Sequence, residues 1–63
     1  MDIKKCWDES LELLITYDSL TVKEFIKLLR PMGFSKEVIL DTLNKLMESP
    51  LAKYSYDKFI SNI

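Results

Sequence analysis

Apolar residues recur at helical spacing along most of this chain. Ile3, Trp7, Leu11 and Leu14 stand at i, i+4, i+8 and i+11, while Lys4, Lys5, Asp8, Glu9 and Glu12 occupy the other faces, a pattern that predicts an amphipathic helix ending near Ile15. Thr16 to Ser19 lacks strong helix formers. Thr21 followed three residues later by Glu24 has the form of a capping box, and it opens a second helix to about Met32 whose apolar set is Val22, Phe25, Ile26, Leu28, Leu29 and Met32. The single glycine, Gly33, comes where a left-handed residue closes a helix, and Ser35 then caps a third helix running to about Met47. Val38, Ile39, Thr42, Leu43 and Leu46 form its buried face. Ser49-Pro50 stops it, because proline disfavours helical geometry at the preceding residue. Lys53 to Ser55 reads as briefly extended, and Tyr56 to Ile63 as a fourth helix, with Phe59, Ile60 and Ile63 at helical spacing. The expectation is an all-α chain of two helix-loop-helix units.

The two units align with each other. Phe25 and Phe59 follow their loops and Leu20 and Tyr54 lie within them, each pair 34 positions apart. Two landmarks with one offset read as an internal repeat. At 63 residues the chain is at most one domain, with a core small enough that a partner or a further segment is expected to support it. One cysteine, Cys6, and no histidine exclude an internal disulfide and a His/Cys zinc set. Cys6 is expected to be a passive, partly buried thiol. No apolar run approaches the ~20 residues that span a bilayer, and Met1-Asp2-Ile3-Lys4-Lys5 leads into Trp7-Asp8-Glu9 rather than an apolar leader. A soluble, cytoplasmic protein without membrane insertion is expected. Nine basic against ten acidic residues, interspersed, give a net charge of −1, which does not invite nucleic acid. There is no Ser-His-Asp, Cys-His, phosphate-loop or paired-carboxylate constellation, so no enzyme and no cofactor are expected.

Lys23-Glu24-Phe25-x-x-Leu28-Leu29-Arg30-x-Met32-Gly33 resembles the loop exit and second helix of a first EF-hand in the calmodulin and myosin light-chain family. Trp7, Leu11 and Leu14 match that family's stripe into loop one, and Leu43 and Leu46 similarly lead into loop two. The resemblance implies a four-helix EF-hand pair, one calmodulin-like lobe over residues 1–63, with hand one at about 2–33 and hand two at about 35–63. Leu20 and Tyr54 would join the loops through a minimal two-stranded antiparallel ribbon. The calcium ligands are missing. Loop one, from Ile15 to Glu24, is two residues short and offers only Asp18 and Glu24 as carboxylates. Loop two, from Met47 to Lys58, has Met47, Ser49, Leu51 and Ala52 at its first, third, fifth and sixth positions and Lys58 where the bidentate Glu belongs. No metal site is expected.

The resemblance therefore implies the N-terminal lobe of a two-lobe, calcium-independent essential light chain that binds and stiffens the amphipathic neck helix of a myosin heavy chain, in the cytoplasm with the motor and cytoskeleton. The short first loop and the Lys/Ile/Asn/Tyr-rich usage are similar to the light chains of apicomplexan parasite myosins, those of the glideosome. Met32, Met47 and Leu51 are the expected partner-binding residues. For Phe25, Leu29, Leu43 and Phe59, plain core is the expectation, and for Trp7 core is favoured over an anchor. The alternative is a small winged-helix DNA-binding protein. In that reading Gly33-Phe34-Ser35 is the turn of a helix-turn-helix, Ser35 to Met47 the recognition helix and Ala52 to Asp57 part of a wing. Against DNA, Lys36 and Lys45 balance Glu37 and Asp41, and that helix carries neither Arg nor Gln to read base edges.

Overall fold

A computed structural model describes residues 3–62. Helix α1, Ile3–Tyr17, buries Cys6, Ser10 and Leu14. Its covered stripe lies one position over from the one expected, and Ile3, Trp7 and Leu11 flank it half-buried. Helix α1 packs against α3, and the buried Ser10 hydroxyl is satisfied by donating to the Cys6 carbonyl at 2.7 Å. Cys6 itself is wholly buried. Asp18 ends the helix in the left-handed region at φ 66°, its N–H bonded to the Leu14 carbonyl at 2.9 Å. Aspartate tolerates this conformation better than most residues. The chain leaves it as strand β1, Ser19–Thr21.

Thr21 then caps α2, Val22–Leu29, with the full capping box in place: the Glu24 N–H donates to the Thr21 hydroxyl at 3.1 Å, and the Thr21 N–H donates to Glu24 Oε1 at 2.9 Å. The helix stops short of Met32. Pro31 has no N–H to continue the ladder, so Arg30–Met32 tightens into a 3-10 turn that Gly33 closes at φ 97°. Ser35 accepts from the Val38 N–H and caps α3, Lys36–Glu48. Strands β2, Ala52–Ser55, and β3, Lys58–Ser61, follow. The sheet is antiparallel with order β1-β3-β2.

This architecture corrects the expected four-helix EF-hand pair: the chain is a small mixed fold of three helices and a three-stranded sheet. Residues 58–61 are the central strand, not a fourth helix, and Ile63, where that helix was to end, lies outside the described residues. The two-stranded ribbon is replaced as well, because Leu20 and Tyr54 do not pair. Each lies opposite Phe59, from opposite sides. The physical reason lies in residues 54–61, rich in Tyr, Phe, Ile and Ser. A terminal helix of some eight such residues without a strong cap is marginal, whereas a strand between two others satisfies its backbone on both edges. Spacing alone did not decide it, since Phe59 and Ile60 fit either element. Burial does, with Phe59 at 0% exposure and Ile60 at 41%, the alternation of a strand with one covered face.

The helices cover the face of the sheet that carries Leu20 and Phe59. Phe25 and Phe59 meet edge to face, centroids 5.4 Å apart and planes at 88°, and Tyr54 tilts onto Phe59 from the other side at 4.9 Å. Leu14, Leu29, Ile39, Leu43 and Leu46 complete the core, and Phe34 plugs the turn between α2 and α3. The element order is therefore helix, strand, helix-turn-helix and hairpin.

The strand assignment separates two neighbouring substitutions. Phe59→Ala should cost about 3–5 kcal/mol, most of the roughly 3–9 kcal/mol that a chain this size holds. Ile60→Ala should cost under about 1 kcal/mol. Urea midpoints followed by circular dichroism check both, and equal losses would contradict the strand.

Candidate interaction surface

Helix α3 turns Ile39, Thr42, Leu43 and Leu46 inward, and Thr42 satisfies its hydroxyl on the Val38 carbonyl at 2.8 Å. A second stripe flanks that face. Leu40, Asn44 and Met47 stand at i, i+4 and i+7 on the exposed side, with Leu40 at 39% and Met47 at 42% exposure. Leu40 and Met47 are two turns, about 10 Å, apart along the axis. Around them lie Lys36 and Lys45 against Glu37, Asp41 and Glu48, all exposed. Because the helix runs one residue past the expected Met47, Glu48 joins the set and α3 carries a net charge of −1.

All three expected partner residues are exposed, but they do not form one site. Met47 and Leu51 stand at the C-terminal end of α3, Leu51 in the turn after it, while Met32 ends the 3-10 turn before α3 begins. The length of α3, about 20 Å, separates Met32 from the other two. Leu40 and Asn44 were missed, although a signal existed: Leu40 is the leucine of the third helix left over once its buried face is assigned.

The hairpin carries the other exposed cluster. Tyr56 and Asp57, at φ 51° and 61°, form a two-residue turn with both φ positive, as in a type I′ hairpin. The Tyr54 hydroxyl donates to Asp57 Oδ1 at 3.1 Å, and the carboxylate beside it raises the phenol above its ordinary pKa. Tyr56 at the tip is 96% exposed. The turn sits beside α2, since Asp57 lines one open depression of about 540 Å³ with Thr21, Val22 and Lys23. A second, of about 260 Å³, is lined by Tyr17, Leu20, Glu24, Lys27 and Leu28. Both are open hollows rather than enclosing clefts, with few converging polar groups. Among the described residues no three His, Cys, Asp or Glu side chains stand together to hold a metal ion, and no helix is long and apolar enough to cross a membrane.

Set against models of protein families, curated proteins and solved structures, the chain matches none.

Glu24 links this surface to stability. The Thr21 backbone N–H, with the Thr21 hydroxyl second, holds the Glu24 carboxyl below its ordinary value of 4.5, and Lys58 and Lys27 add to the effect. A lowered folded pKa stabilises the fold at pH above the unfolded value, and that contribution is lost as pH falls through the folded one. The melting temperature should therefore fall as pH drops below about 4.5, and Glu24→Gln should flatten that part of the pH profile. Parallel thermal melts between pH 6 and about pH 2.5 check this, and identical profiles would contradict it.

Proposed function

We propose that this chain is a non-catalytic winged-helix adaptor whose helix α3 captures a protein segment presenting apolar side chains flanked by Lys or Arg. The observation that carries the reading is the exposed stripe Leu40, Asn44, Met47, continued by Leu51, with three carboxylates against two ammonium groups around it. An apolar strip with charged margins is the anatomy of a docking surface, and the acidic excess selects a basic partner by steering and by repelling acidic competitors.

Two other readings fare less well. Duplex recognition by α3 would bring Glu37, Asp41 and Glu48 toward phosphates, with Asn44 as the one amide for a base edge. Winged-helix architecture alone does not supply a DNA activity. The myosin neck expectation rested on a groove between four helices, which this fold lacks. Calcium-independent protein capture does not depend on that groove, and association with motor or cytoskeleton has only the light-chain resemblance behind it.

Chemical-shift mapping of the full chain with a Lys/Leu amphipathic helical peptide tests the proposal. Shifts should centre on Leu40, Asn44 and Met47, and a Glu/Leu counterpart should bind more weakly. Leu40→Ala with Met47→Ala should weaken binding about tenfold or more while moving stability by roughly 1 kcal/mol or less, as both residues are exposed. Shifts elsewhere, or a duplex oligonucleotide perturbing α3 at moderate salt, would overturn it. So would self-association abolished by Leu40→Asp, since a second copy would then occupy the face.

A further inference from the structure

Charge is divided between the two sides of this small fold. The exposed face of α2 and the turn after it presents Lys23, Lys27 and Arg30 at i, i+4 and i+7, and the hairpin adds Lys53 and Lys58. The hairpin turn adjoins the first turn of α2. Lys58 and Lys27 both act on the Glu24 carboxylate, and Asp57 shares a depression with Lys23 beside the first turn of α2. Five cations against Glu24 and Asp57 give this side a net charge of +3, whereas α1 and α3 are each −1. The two carboxylates are already engaged, Glu24 by Thr21 and Asp57 by Tyr54.

The second observation is independent of charge. A type I′ turn favours Asn, Asp or Gly at its first position, because the left-handed conformation crowds a larger side chain. Here that position holds Tyr56, at φ 51° and 96% exposed. The backbone bears the cost of a tyrosine there, and the ring covers no apolar surface in return. An exposed aromatic projecting from a hairpin that lysines flank has the two parts of a stacking platform for unpaired bases, a π-face and cations along the backbone path. A residue placed against local preference and without a packing role is where a binding contact is to be sought.

We infer that the α2 face and the hairpin form a single-stranded nucleic-acid contact, in which Tyr56 stacks on a base while Lys23, Lys27, Lys53 and Lys58 neutralise neighbouring phosphates. This surface is separate from the α3 stripe, so the partner capture proposed above and the nucleic-acid contact stand or fall independently. Single strands fit better than duplex. Tyr56 offers stacking, which a paired base inside a helix does not accept, and no Arg or Gln on the hairpin is placed to read a groove.

Fluorescence anisotropy of a labelled oligothymidylate with the full chain tests the inference. Binding should be tighter than for a duplex of equal length, and log K should fall with log salt at a slope of about −2 to −3.5, as expected for three to five phosphates on a single strand. Tyr56→Asn is the decisive variant. It suits the turn better, so the melting temperature should hold or rise, while affinity should drop on the order of tenfold. Lys23→Gln with Lys27→Gln should lower affinity and flatten the salt slope, and Ile15→Ser, at an exposed position on α1, should leave both unchanged. The inference is overturned if the oligonucleotide does not bind at low salt, if Tyr56→Asn binds as tightly as the original chain, or if duplex binds better than single strand.

Discussion

The fold turns on one side chain held in one place. Phe59 lies at the middle of the central strand, with Leu20 opposite it on β1 and Tyr54 opposite it on β2. Its ring is enclosed by Phe25 from α2 and by Tyr54 from the hairpin. A sheet of two short strands would be marginal in water, and β1 is only three residues long. Inserting β3 between β1 and β2 satisfies its backbone on both edges and lays the largest buried ring of the sheet against α2. The rest follows from that placement. The hairpin must turn in two residues beside α2, and α3 must pack on α1 with its other face left to solvent.

Much of the local structure was legible because it rests on short-range chemistry. Thr21 with Glu24, Gly33 and Ser35 act within a turn of their own positions, and all three signals are met in the structure. The inward faces of α2 and α3 likewise follow from spacing. What spacing could not supply was the element at 58–61, where Phe59 and Ile60 serve a helix or a strand and only tertiary pairing decides. The equal offsets that suggested a repeat arise without one. Leu20 and Tyr54 match because both face Phe59, and Phe25 and Phe59 match because they touch each other, one from a helix and one from a strand. Met32 was read as part of an apolar set, but Pro31 ended the helix before it and left it exposed. Tyr56 was read as the start of a fourth helix, whereas it stands in the hairpin turn with Asp57, 96% exposed.

The surface separates into two characters, one on each side of the helix-turn-helix. On α3, an apolar stripe lies among more acids than bases. On α2 and the hairpin, cations predominate around an exposed ring. This polarity runs against duplex recognition, which would need the cations on α3. It also accounts for a net charge near zero that at first points to no partner at all, since opposite fields of a small protein cancel in the sum and not at the surface.

The central claim is that residues 58–61 lie between β1 and β2, and backbone proximity measures it directly. The Ser61 N–H bonds to the Asp18 carbonyl and the Asn62 N–H to the Leu51 carbonyl, so in an antiparallel ladder Ser19 with Ile60 and Tyr54 with Phe59 are non-hydrogen-bonded pairs, whose α-carbons approach to about 4.5 Å. Two-dimensional NMR of the full chain should give strong Hα–Hα cross-peaks for Ser19–Ile60 and for Tyr54–Phe59. A cross-peak joining Leu20 to Tyr54, with helical shifts across 58–61, would contradict the fold and the division of surfaces built on it.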